Sequence, residues 1–168
     1  MHADAEPPDF AAVVAEHWPA VYRLLYSLTG DPHATDDLTQ ETFLRALQRF
    51  AGLRPDSRLR PWLLRIATNA FFDAVRKAKR ARTGPLDRDV AAAEASPGHG
   101  LETSERAALL RVAMAELTDL TRLVFHLRAT EDLSFREIAE VAGTTEQSAR
   151  WHMHQARTKL LDRLGKDF

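Results

Sequence analysis

Four side chains near the C-terminus, Arg150, Trp151, His154 and Arg157, are of the types that read DNA. An arginine can donate two parallel hydrogen bonds to the edge of a guanine, and an apolar ring can rest on a thymine methyl. They fall in ARWHMHQARTKLLDRL, off a stripe made by Ala149, Met153, Ala156, Leu160, Leu161 and Leu164 at spacings of three and four. A helix here buries that stripe and offers the four side chains elsewhere. The same pattern also suits an ordinary helical hairpin with a solvated basic face.

The preceding residues favour the first reading. Ser134, followed three residues later by Glu137, is a capping box that starts a short helix with Phe135, Ile138, Ala139, Val141 and Ala142 on its apolar face. Gly143 ends it, where a left-handed backbone costs a residue without a side chain little. Thr144 and Thr145 can cap the next helix at once, with Gln147 three residues after Thr144. Two helices joined by so few residues, with glycine in the turn, form a helix-turn-helix whose second member fits a major groove.

A second basic group lies upstream. Arg76, Lys77, Lys79, Arg80 and Arg82 put five cations within seven residues, at the end of a helix that also carries Asn69 and Asp73 four apart. Cations suit a helix C-terminus, but five exceed that need and point to an anionic partner. A third group, Asp37, Gln40, Glu41 and Leu44, shares one helical face. Asp36 and Asp37 can serve the helix N-terminus, while Gln40 and Glu41 suit a partner site or a solvated face equally well. Asp36, Asp37 and Glu41 could ligate a hard cation, as a metal-dependent nuclease requires, yet no convergent histidine accompanies them. His152 and His154, two apart, point about 200° from one another on a helix. No cofactor or metal site is expected.

The 168 residues carry 23 basic and 24 acidic side chains, a net charge of −1, and no cysteine. Disulfides, thiolate metal sites and thiol redox sensing within the chain are thereby excluded. Near-neutrality is unusual for a protein that holds DNA alone, because phosphate neutralisation drives affinity. No apolar run approaches a membrane span, and MHADAEPPDF lacks the features of a secretory signal, so cytoplasmic residence is the expectation.

Helical patterning covers most of the chain. Asp9 to Leu28 shows one apolar stripe, with Pro19 expected to kink or restart it. Asp31 and Pro32 read as the N-cap and first position of a second helix running to about Phe50, with Phe43, Ala46, Leu47 and Phe50 toward a core. A third helix begins near Pro61 and is expected to bury Trp62, Leu63, Ile66, Ala67, Ala70, Phe71 and Ala74. TGPLDRDVAAAEASPGHG then loses aromatics and gains Ala, Gly, Pro and acid, as a tether does. Helical pattern resumes from Leu101 to Ala115 and from Leu117 to Leu127. The expected fold is all-α: two small helical domains, 9–82 and 105–166, joined by a flexible link over 83–104.

DDLTQETFLRALQRF, RPWLLRIATNAFFDAVRKAKR and LTDLTRLVFHLRATEDLSFREIAEVAGTTEQSARWHMHQARTKLLDRL together resemble a bacterial sigma factor of the sigma-70 family. The likeness is to the small extracytoplasmic-function group, which keeps the second and fourth conserved regions. It implies a non-enzymatic protein that binds core RNA polymerase, brings it to promoter DNA and helps separate the strands. On the matching positions, Asp37, Gln40, Glu41 and Leu44 would dock on the clamp helices of the largest polymerase subunit. Trp62 and Ile66 match packing positions; Asn69, Asp73, Arg76, Lys77 and Arg80 would meet the minus-ten element. Arg150, Trp151, His154 and Arg157 would read the minus-thirty-five element. The resemblance also implies an anti-sigma factor as a partner, and no membrane insertion of the chain itself. Thr118, where the family commonly has proline, and Trp151, His152 and Gln155, where it has smaller or more basic residues, depart from the pattern.

Overall fold

The computed structural model describes residues 9–54, 57–83 and 105–165. They form seven α-helices and, among the described residues, no strand. The first lobe is α1 (Phe10–Thr29), α2 (Pro32–Phe50) and α3 (Leu59–Arg82). The second is α4 (Glu105–Ala115), α5 (Asp119–Ala129), α6 (Phe135–Ala142) and α7 (Glu146–Leu164). The tether expected over 83–104 lies outside the described residues except for Thr83, which caps α3.

Local chemistry sets the boundaries. The Asp9 carboxylate accepts from the Ala11 amide to start α1, and Gly30 ends it at φ 66°. Asp31 caps α2 through the His33 and Ala34 amides, with Pro32 in the first turn. α1 runs through Pro19 as one continuous helix, so the proline does not restart it. Val13 and His17 before it, and Ala20 and Val21 after it, are all buried, and their packing outweighs the lost amide. α3 begins at Leu59, two residues before Pro61, leaving the proline inside the first turn where its missing N–H costs nothing.

Leu24, Leu25, Leu63 and Leu64 are fully buried between the three helices of the first lobe. Trp18 stacks on Phe43 with centroids 5.3 Å apart, and Phe10 meets Phe50 edge-on at 5.1 Å. On α2 the buried face includes Thr35, Thr39 and Thr42, each hydroxyl donating to the carbonyl four residues earlier at 2.7 Å. That local bond satisfies the oxygen and lets a polar residue sit in a core. Three expected core positions are instead exposed: Leu47, Ala74 and Leu161. α2 turns its threonines inward, which carries Leu47 to the solvent side. α3 extends beyond the bundle after Phe72, and α7 buries only Ala149, Met153, Ala156 and Leu160.

The two lobes do not hang apart. α1 packs on α5 and α3 on α6, and the hydrophobic core continues from Leu24 and Leu63 into Leu123, Val124, Leu127 and Ile138. Arg122 fastens the seam: its guanidinium donates to the carbonyls of Met114, Ala115 and Leu117 in its own lobe and of Leu28 in the other. Glu131, its side chain fully buried, pairs with Arg60 of α3 and lies 3.6 Å from Arg23 of α1 and 3.5 Å from His126 of α5. Burial alone would raise its pKa, but His126 and Arg60 overcome that and hold it near 2. Arg58 pairs with Glu137 beside it. Cations at the start of α3 oppose its dipole; these two face carboxylates of the other lobe instead.

Candidate nucleic-acid interface

The helix-turn-helix is built as its residues dictate. The Ser134 hydroxyl accepts from the Glu137 amide at 3.3 Å while the Glu137 carboxylate accepts from the Ser134 amide at 2.8 Å. The Ser134 amide and hydroxyl, both donating to Glu137 Oε2 at 2.8 Å, together with Arg58, hold the Glu137 carboxyl below its ordinary range. Gly143 takes φ 64° in the turn, a conformation that glycine alone adopts without strain. Thr145, rather than Thr144, caps α7, accepting from the Ser148 amide at 3.1 Å, so Gln147 forms no capping box with Thr144. Thr118, which departs from the expected pattern, caps α5 through the Thr121 amide.

α7 lays Ala149, Met153 and Ala156 against α5 and α6, and this packing fixes which side chains remain outward. Arg150, Trp151, His154 and Arg157 are all exposed. Trp151 is 56 % exposed, and its ring lies in an edge-to-face arrangement with that of its neighbour His152, centroids 4.8 Å apart. His152 turns inward to bond the Thr121 hydroxyl at 2.9 Å, and burial lowers its pKa. The two histidines therefore point apart. Arg150 is held from two sides, its guanidinium 4.5 Å from the Phe135 ring centroid and bonded to Glu146 at 2.7 Å. Phe135, expected on the apolar face of α6, carries Arg128 as well, at 5.4 Å, a support for arginines that its place in the apolar pattern did not disclose.

In the first lobe, Asn69, Arg76, Lys77, Lys79, Arg80 and Arg82 are exposed along α3. Arg65, one turn before Asn69, is exposed on the same stripe and extends it. Asp73 differs. Its Oδ2 accepts from Arg45 at 2.9 Å and its Oδ1 from Arg76 at 2.5 Å, which holds its pKa below the usual carboxylate range. Asp37, Gln40, Glu41 and Leu44 stand together on the outer side of α2, with Leu44 62 % and Leu47 52 % exposed. Two leucines thus stay exposed beside acidic groups, on a helix whose other face is buried. Among the described residues no group of histidines and carboxylates could hold a metal.

Two conserved-region models match this architecture: sigma-70 region 2 over residues 13–81 and sigma-70 region 4 over residues 107–160. The chain belongs to the sigma-70 family, in its extracytoplasmic-function group; it is an RNA polymerase sigma factor, which directs promoter-specific initiation of transcription. It is similar to the sigma factor SigE of Mycolicibacterium smegmatis, 35% identical over 165 residues that cover 96% of this chain and 64% of SigE. It is also similar to SigM of Bacillus subtilis, 35% identical over 146 residues that cover 83% of this chain and 85% of SigM. Among solved structures, the sigma factor RpoE in complex with the anti-sigma factor NepR from Bartonella quintana shares the fold. Its TM-score is 0.76 at 22% identity, over 95% of this chain and 99% of that one. CnrH in complex with the cytosolic domain of CnrY gives a TM-score of 0.67 at 25% identity, over 95% and 89%.

Proposed function

We propose that the two lobes divide promoter recognition between them, on either side of a docking face for core polymerase. In this reading residues 9–82 form region 2, 105–166 form region 4, and 83–104 link them. Asp37, Gln40, Glu41 and Leu44 dock on the clamp helices of the largest polymerase subunit. Asn69, Arg76, Lys77 and Arg80, with Asp73 behind them, meet the minus-ten element. Arg150, Trp151, His154 and Arg157 read the minus-thirty-five element. The observation that carries this is the outward display of four aligned side chains on α7, which the buried Ala149–Met153–Ala156 stripe enforces.

The chemistry suits the division. α7 offers rigid donors for base edges in closed duplex. Strand separation needs a cationic track for the backbone and groups that bond an unstacked base, at a cost of a few kcal/mol for unstacking. Asn69 followed by the cation run of α3 supplies both. No covalent step is required of the chain, which acts as an initiation factor rather than a catalyst.

The packed lobes must part for this to happen. Elements centred about 25 base pairs apart are roughly 85 Å apart at 3.4 Å per pair. A compact chain of 168 residues is only about 40 Å across. The seam between α1–α3 and α5–α6 therefore opens on the promoter.

RpoE and CnrH were solved with anti-sigma partners; this chain takes a comparable partner in the cytoplasm. No described helix is long and apolar enough to cross a membrane. Mapping the genomic DNA retained by polymerase carrying this chain tests the reading. Enrichment of sites with two elements at fixed spacing supports it; a spread like that of core polymerase alone refutes it.

A further inference from the structure

Four charges of alternating sign run in a row from the outer face of α2 to the outer face of α3. Glu41 Oε1 accepts from Arg45 Nη2 at 2.5 Å, Arg45 Nη1 donates to Asp73 Oδ2 at 2.9 Å, and Asp73 Oδ1 accepts from Arg76 Nη2 at 2.5 Å. One guanidinium thus serves two carboxylates, and one carboxylate serves two guanidiniums. Arg45 is the most enclosed of the four, its side chain 30 % exposed against 46 % for Asp73, 47 % for Glu41 and 62 % for Arg76. The ends of the row lie in different surfaces: Glu41 in the polymerase-docking face and Arg76 in the strand-facing track.

We propose that Arg45 is a positioning residue that transmits polymerase docking at Glu41 to the strand-reading Arg76, acting through Asp73. The proposal rests on the division of surfaces in the preceding section. In the free chain Arg45 splits its charge between Glu41 and Asp73, and Asp73 holds Arg76 firmly. When a cationic or donor group of polymerase engages Glu41, Arg45 is left to Asp73 alone. A more fully neutralised Asp73 restrains Arg76 less, and Arg76 becomes available to a phosphate or an unstacked base. Coulomb attraction between groups this close and only partly solvated is large enough to shift such a balance, and small enough for a partner to reverse it.

Asp73 is thereby assigned a different part from direct base reading. Both its oxygens already accept from arginine, and its charge is matched from either side. Arg45 is suited to the relay because a planar guanidinium presents donors along two edges, whereas an ammonium holds two carboxylates only as a point charge.

The test uses the full chain assembled with core polymerase, a promoter duplex carrying 2-aminopurine in the minus-ten segment, and the variants Arg45→Met, Arg45→Lys, Asp73→Asn and the double variant Arg45→Met with Asp73→Asn. Promoter opening is read from the fluorescence rise, and polymerase affinity is measured separately. Arg45→Met is expected to lower opening about threefold to fivefold, while polymerase affinity stays within about twofold, a range set by partly exposed ion pairs. Arg45→Lys should fall between, and Asp73→Asn should abolish the dependence, leaving the double variant equal to Asp73→Asn. Opening unchanged in Arg45→Met, or losses that multiply in the double variant, overturns the relay. A loss in opening that merely follows a loss in polymerase affinity overturns it too. Failure of the unmodified chain to bind polymerase would instead strike the proposed docking face itself, and is seen before any variant is compared. Should Arg45→Met fail to fold, the lysine variant, which keeps the stem and charge, carries the comparison.

Discussion

Glu131 and Arg60, 71 positions apart in sequence, form an ion pair across the seam between the lobes, with the Glu131 side chain wholly buried and that of Arg60 44 % exposed. A buried charge is tolerated only when compensated, and removing one partner of such a pair costs more than the pair contributes. Its value lies in registry: a Glu131 carboxylate enclosed by Arg60, Arg23 and His126 fits only one apposition of α1, α3 and α5.

Stability should therefore depend on acid through this group. The folded pKa near 2 lies below the value of 4.5 for an unconstrained glutamate, so the contribution is complete above about pH 5 and is lost as pH falls toward 2. A shift of this size corresponds to roughly 3 kcal/mol. Urea melts of the unmodified chain at pH 6 and pH 3 should differ by more than those of Glu131→Gln. Equal pH dependence in the two would show that the group is not the source.

Arg122→Met should weaken the fold by about 2–4 kcal/mol, because it leaves the carbonyls of Leu28, Met114, Ala115 and Leu117 short of a charged donor in a half-buried place. Denaturant titration measures it. A change under about 0.5 kcal/mol would mean that water replaces the guanidinium freely.

Opening of the seam is directly observable, since a chain without cysteine accepts two introduced labels cleanly. With dyes on exposed Gln48→Cys and Lys159→Cys, energy transfer should be high in the free protein and fall sharply when polymerase and promoter are added. Transfer that stays high on the promoter would contradict the parting of the lobes.

Much of this architecture was legible in the chain itself. Ser134 with Glu137, Asp31 with Pro32, and Gly143 fix helix ends by chemistry confined to four or five residues, and each stands where the pattern puts it. The seam was not legible. Arg60 and Glu131 each look like ordinary surface charges, and their meeting depends on the packing of two lobes far apart in sequence. The inward face of α2 was obscured for another reason. Thr35, Thr39 and Thr42 read as polar, and only their bonds to carbonyls four residues back make them core, leaving Leu47 outside. At the site, exposure of the α7 quartet followed from periodicity, whereas the Phe135 support beneath Arg150 and the double engagement of Asp73 are tertiary facts.

Leu44→Asp and Leu47→Asp should each reduce binding to core polymerase at least tenfold while leaving thermal unfolding nearly unchanged, because both side chains are already exposed. Co-elution on a sizing column distinguishes this from a folding defect. Retained binding by both variants would move the docking face off α2.

Trp151→Ala should alter discrimination at one or two positions of the upstream element by about 1–3 kcal/mol, without changing polymerase affinity. The free chain, near neutral overall, should bind the same duplex weakly and lose it as salt rises. Tight, salt-resistant binding by the isolated chain would contradict the dependence on polymerase.

Run-off transcription is the most direct test of the division of labour between the lobes. Core polymerase with the full chain should yield a discrete transcript from a template bearing both promoter elements. The transcript should be lost when either Arg150 with Arg157 or Asn69 with Arg80 is replaced by alanine. No transcript above that of core polymerase alone, or one that survives both replacements, would contradict the account.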